Sequence, residues 1–158
     1  MFEPIHNQKT CPKERGSYGK HGSIAANGCG AIAVYNACLM LGYPVPANEI
    51  FPVLGKSALL GGRMGTSPFA LRRYLKGRGI RLHTYWQTAS IKRHEAYIVL
   101  YIFRRGCRLF GHYIALAPQG KGFMALNDGA GGQPRRYEAL SDIKKIHGAL
   151  FLWILGLR

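Results

Sequence analysis

Acidic residues are scarce in this chain. Asp and Glu together number 7 against 22 Lys and Arg, leaving a formal net charge of +15 over 158 residues. Such a field attracts nucleic acid, anionic lipid or an acidic partner protein. The basic residues come as scattered pairs, among them Arg72/Arg73, Lys92/Arg93, Arg104/Arg105 and Lys144/Lys145, and never as one run. The expectation is therefore a basic surface that holds polyanions without sequence preference or meets an acidic partner. Cysteine is sparse too: Cys11, Cys29, Cys38 and Cys107 lie far apart and form no CxxC. This excludes a zinc knuckle and a dense disulfide framework, and is simplest as reduced thiols in a cytoplasmic protein. No apolar run is long enough to span a bilayer; "GALFLWILGLR" is too short and reads as a last, buried strand. The opening "MFEPIHNQKTCPKERG" lacks the apolar core of a secretory signal.

What is present is enough apolar chemistry, 47% of residues, to build a core without disulfides or metal. With no repeat or low-complexity linker, residues 1–158 read as one domain whose first 26 residues are an irregular basic lead-in. From Cys29 to about Leu41 the apolar residues follow a helical period, closed by Gly42, with Asn27 as N-cap. "TSPFALRRYLKGRG" is a second helix, with Thr66 or Ser67 as cap and Pro68 in the first turn. Strands follow in "IRLHTYW", "AYIVLYIF", "CRLFGHYIALA" and "GFMALND", then a short helix at 141–147 and a final strand at 149–155. Helices first and hairpin-connected strands afterwards indicate α+β with a mostly antiparallel sheet. Segments 43–66 and 129–137 read as pocket-forming loops.

One placement stands out in "AANGCGAIAVYNACLMLGY". Cys29 lies between Gly28 and Gly30 where the helix begins. Free N–H groups and the helix dipole there favour a thiolate, and flanking glycines let a substrate backbone approach. The bland alternative is a small buried residue at a tight helix entrance; Cys38, inside the helix, reads as core. A nucleophilic thiol needs a base, usually His, and something to orient it. Of the six histidines, His112 in "RLFGHYIAL" alternates with Phe110, Ile114 and Leu116 and so points to an apolar strand face. A lone His in that setting is more often a satisfied core residue, but the next strand supplies a partner. A hairpin centred on Gly120 would set Leu116 opposite Met124, Ile114 opposite Leu126 and His112 opposite Asp128. A one-residue change of register would put Asn127 there instead, and either side chain could orient the ring.

Three stretches in order resemble the papain-like cysteine peptidases, most closely their C39 and C39-like branch. These are "NGCGAIAVYNACLMLGY", "GGRMGTSPFALRRYLKGRGIRLHTY" and "GHYIALAPQGKGFMALND", spanning about residues 27–130. The resemblance implies a papain-like fold in which the catalytic helix and a second helix pack on the sheet. It implies Cys29 as nucleophile, His112 as base and then acid, and Asp128, or alternatively Asn127, as orienter. The activity would be peptide or isopeptide cleavage through a thioester acyl-enzyme, with no metal or cofactor. The family's oxyanion glutamine, six residues before the cysteine, is replaced here by Ser23; Asn27 is the substitute donor, competing with its role as a cap. A module that binds a peptide or acidic partner without turnover is the alternative function, and a nucleic-acid-associated basic protein a more remote one.

Overall fold

The computed structural model describes residues 2–11, 17–129 and 132–158. Parts of the expected lead-in and of the 129–137 loop thus lie outside the described residues. In chain order the elements are β1 (Ser17–Tyr18), β2 (Gly22–Ser23), α1 (Ile24–Asn27), α2 (Cys29–Met40), α3 (Ala47–Lys56), α4 (Pro68–Gly77), β3 (Leu82–Tyr85), β4 (Ala96–Arg105), β5 (Arg108–Gln119), β6 (Gly122–Leu126), β7 (Arg135–Tyr137), α5 (Ser141–His147) and β8 (Ala149–Leu157). Short 3-10 turns occur at Gln8–Thr10, Leu59–Gly62 and Thr88–Ser90. No helix among the described residues is long and apolar enough to cross a membrane.

The centre of the fold is α2. Its sequence, CGAIAVYNACLM, is apolar on every side, and every residue from Cys29 to Cys38 is buried. A helix of that kind is stable only when covered all round. Here β4 and β5 cover one flank, and α1, α3 and α4 cover the others. One strongly polar side chain is sealed inside it: Asn36 is fully buried and takes the place of a strand partner for the N-terminal segment, accepting from Ile5 N at 2.9 Å and donating to Ile5 O at 2.8 Å.

The main sheet runs β3-β8-β4-β5-β6-β7, with all neighbours antiparallel. Strand alternation splits it into two faces. Ala96, Ile98, Tyr113, Ala115, Trp153 and Leu155 join the helices in one core, whereas Tyr97, Val99, Tyr101, Ile114, Leu116 and Ile154 pack with Tyr137, Leu140 and Ile143 in the other.

Several expectations are corrected. The 1–26 lead-in is not wholly irregular: it contains β1, β2 and most of α1. The 43–66 segment contains α3, whose Ile50, Phe51 and Leu54 form a buried stripe. Its Pro52 lies on the exposed side, where water can meet the carbonyl that proline leaves free. The 129–137 segment contributes β7. The β5–β6 register is also displaced. Gln119 faces Gly122, Leu116 faces Ala125 and Ala115 faces Leu126. The cause is a two-residue turn with Gly120 at φ 60 in its first position, the type II′ arrangement, in place of a wider loop centred on Gly120.

Candidate active site

The thiol of Cys29 sits at the first residue of α2. Asn27 does not cap this helix: α1 runs Ile24–Asn27, Ser23 caps α1 by accepting from Ala26 N at 3.2 Å, and Gly28 joins the two helices. Asn27 instead donates its amide to Arg63 O at 2.9 Å, tying the helix junction to the 59–66 segment. That segment is fixed by buried Thr66, whose hydroxyl bonds to the Tyr18 hydroxyl and whose carbonyl accepts from Tyr113 OH at 3.1 Å. Gly30 is required at this crossing. A Cβ there would lie 2.4 Å from Thr66 Oγ1 and 2.6 Å from Thr66 Cβ.

His112, on β5, hydrogen-bonds the Cys29 sulfur. Its Nε2 lies 2.6 Å from the backbone carbonyl of Asn127. A carbonyl can only accept, so Nε2 carries the proton and Nδ1 is the nitrogen left to meet the sulfur. Burial by itself pushes the Cys29 thiol up. The His112 hydrogen bond and charge outweigh it, aided by the backbone N–H groups of Tyr113 and Gly30, and hold the thiol below its ordinary value. Burial likewise pushes His112 down, but the bond to Cys29 and its charge, the Asn127 carbonyl and the Asp128 charge raise it instead. Opposite shifts in a contacting pair favour thiolate–imidazolium over the neutral form. The other thiols differ: buried Cys38 is pushed up to about 11, chiefly by burial, and Cys107 is exposed.

The expected pairing of His112 with the side chain of Asp128 or Asn127 is not formed. β6 ends at Leu126, opposite Ala115, and Asn127 then turns away with φ 61. That left-handed step aims its main-chain oxygen at His112. Its side chain goes elsewhere, with Oδ1 accepting from Gln8 N at 2.9 Å and Nδ2 donating to Gln8 Oε1 at 3.3 Å. The buried Asp128 carboxylate meets a different set of partners. It accepts from Tyr101 OH at 3.2 Å and from Tyr137 OH, and His147 Nε2 lies 3.0 Å from its Oδ1. Burial pushes this carboxyl up, but the His147 and Tyr137 hydrogen bonds, with the charges of His147 and Arg135, hold it below the usual carboxylate range. Tyr101 stands between the two imidazoles, stacked on His147 at 4.3 Å and edge-on to His112 at 5.6 Å between ring centres. Asp128 thus reaches His112 by charge and by way of the Tyr101 ring.

Sequence reasoning missed Gln8, Tyr101, Tyr137 and His147. Only Tyr101 had a readable signal, since the β4–β5 hairpin pairs it with His112. No group of three or more His, Cys, Asp or Glu side chains among the described residues is arranged to hold a metal ion.

This geometry is that of a papain-like α+β protein: a cysteine-headed helix laid against an antiparallel sheet that carries a histidine. No protein-family model and no curated protein matches the chain. Among solved structures, it is similar to the peptidase domain of Streptococcus ComA, a bifunctional ABC transporter involved in quorum sensing. The TM-score is 0.54 at 12% sequence identity, covering 81% of this chain and 90% of that one. At that identity the likeness carries the fold and no more.

Proposed function

We propose that the protein is a cysteine peptidase-like thiol hydrolase that opens a peptide or isopeptide bond. The observation that carries this reading is the Cys29–His112 hydrogen bond at the start of α2, with the thiol lowered and the imidazole raised. The Cys29 thiolate attacks the amide carbonyl, and the imidazolium at Nδ1 gives its proton to the departing amine as the C–N bond breaks. A thioester remains. His112 then takes a proton from water, whose oxygen displaces Cys29 and releases the carboxylic acid. The Asn127 carbonyl holds the ring throughout, and the Asp128 charge favours the imidazolium. The Cys29 N–H at the helix start is the first oxyanion donor, and the second hydrogen of the Asn27 amide supplies another.

A peptide is favoured over a small amide by the edge of β5. β4 pairs with β5 along Arg108–Leu116, whereas β6 pairs only with Ala115–Gln119. The stretch from Arg108 to Gly111 is exposed. The Tyr113 N–H faces the Cys29 sulfur, so by strand alternation Gly111 and Leu109 turn their main-chain groups to the same side. An extended peptide adding to this edge runs toward the thiol. Arg104, Arg105 and Arg108 at the hairpin tip favour an acidic one.

The test is the pH dependence of alkylation at each cysteine, read by mass spectrometry in wild type and His112→Ala. Cys29 is expected to react at pH 6 at least tenfold faster than Cys107, and to lose that advantage without His112. Equal rates for Cys29 and Cys107 would refute the pair. One observation favours a second reading, a peptide-binding module without turnover: Ser23, at the position where the resemblance expects an oxyanion glutamine, is spent as a helix cap. Reactivity at Cys29 with no acyl-enzyme formed from any acidic peptide in an intact-mass screen would select it.

A further inference from the structure

The contact that orients His112 is a main-chain carbonyl on a non-glycine residue in left-handed conformation, one that Asn tolerates better than most and that is here held from outside as well. The support is visible. Gln8 brackets the Asn127 side chain from both ends, its N–H donating to Oδ1 and its Oε1 accepting from Nδ2. The same Gln8 amide donates from Nε2 to Ala25 O at 2.9 Å, on the short helix that leads into Cys29. One residue therefore ties the partner of the imidazole to the element that delivers the thiol. Upstream, the segment is anchored on α2 itself through Asn36 to Ile5 and through Tyr35 OH to Glu3 O at 2.9 Å.

We propose that Gln8 is a positioning residue for His112: clamped to both Asn127 and Ala25, it holds the Asn127 carbonyl on Nε2 and so keeps Nδ1 on the Cys29 sulfur. Its value for hydrolysis rests on the function proposed above, but the clamp itself is a statement about the ring. The hydrogen bonds of the Gln8 side chain go to Ala25, Ala26 and Asn127, so it acts on the ring through Asn127. The N-terminal segment is thereby part of the active-site scaffold.

The experiment uses the full chain and two substitutions of graded reach. Gln8→Ala removes the side-chain bonds to Ala25, Ala26 and Asn127 and keeps the main-chain donor. Gln8→Pro removes the main-chain donor as well; proline suits the first residue of a 3-10 turn, and Asn7 before it is already extended at φ −142. Two readouts are taken: exchange of the His112 Nε2 proton with water by NMR, and alkylation of Cys29 by iodoacetamide at pH 6. Expected are at least tenfold faster proton exchange and tenfold slower alkylation in Gln8→Pro, about threefold of each in Gln8→Ala, and an unchanged Cys107 rate. In an Asn127→Gly background, which keeps the backbone conformation but has no side chain to clamp, Gln8→Pro should add less than twofold. Values within twofold of wild type in Gln8→Pro, or full additivity with Asn127→Gly, overturn the proposal. If Gln8→Pro does not fold, proton exchange in Gln8→Ala decides, and a rate within 1.5-fold of wild type overturns it. A wild-type Cys29 no more reactive than Cys107 would sink the hydrolase reading alone, because the exchange of the Nε2 proton still decides the clamp.

Discussion

Replacing Asp128 by Asn separates a carboxylate that touches the imidazole from one that acts at a distance. In direct contact with the ring, loss of the charge would reverse the hydrogen-bond preference and cost on the order of 10⁴ in rate. Here its hydrogen bonds go to Tyr101, Tyr137 and His147. Bonds to a charged group contribute roughly 1.5–3 kcal/mol and neutral ones about 1. Neutralising the acceptor therefore costs about 1 kcal/mol at each of three contacts, about 3 kcal/mol in all. For a chain of this size that lowers the melting temperature by roughly 6–12 °C. The pH dependence follows from the depressed carboxyl. A carboxyl held below its unfolded value, about 3.9, gives its full stabilisation above that pH and loses it as pH falls through the folded value. The variant should lose that acid-side slope. Cys29 alkylation at pH 6 should fall by about tenfold or less, since only the charge on His112 changes. Melting curves from pH 3 to 8 beside alkylation rates make the comparison. A 10³-fold loss of reactivity with an unchanged melting temperature would refute the reasoning.

Gly30→Ala drives a methyl into Thr66 and breaks the buried Tyr18–Thr66 hydrogen bond; overpacking and the orphaned hydroxyl together cost about 3 kcal/mol, read by urea unfolding. Asn27→Ala removes the proposed second oxyanion donor and should slow acyl-enzyme formation about 100-fold. It should leave Cys29 alkylation, which builds no oxyanion, within twofold, and a loss of both together would point to a displaced helix junction. Duplex DNA should bind through charge alone, weakening steeply with salt and equally across sequences. A preferred sequence, or binding unmoved by salt, would contradict the dispersed placement of the basic residues.

The fold was largely legible. α2 and α4 announce themselves by period and by Pro68 at a helix start, and the long strands by alternating apolar residues. α3 was hidden because Pro46 and Pro52 read as interruptions, while in space one precedes the first turn and the other faces out. Within the candidate site, the strand alternation carried His112 and the helix entrance carried Cys29. The third partner was beyond reach for a specific reason. The facing-pair argument assumed that β6 continues past Leu126, and nothing in "ALND" says that Asn127 takes a left-handed step. Gln8 lies 119 residues from Asn127 along the chain, a separation that no local pattern bridges and that their hydrogen bonds cancel.

The acceptor on His112 belongs to the peptide link and to no side chain. Every residue type offers the same oxygen, so what is heritable at position 127 is the sign of one torsion angle and the side chain by which Gln8 holds it. A saturation library there should sort by two demands together, tolerance of that torsion and a polar side chain that Gln8 can hold: Asp nearest the parent, Gly behind it with the torsion but no clamp, and β-branched residues worst. The atom itself can be altered only by rewriting the backbone. A thioamide placed at residue 127 by semisynthesis would weaken the acceptor while leaving the whole alphabet of side chains untouched.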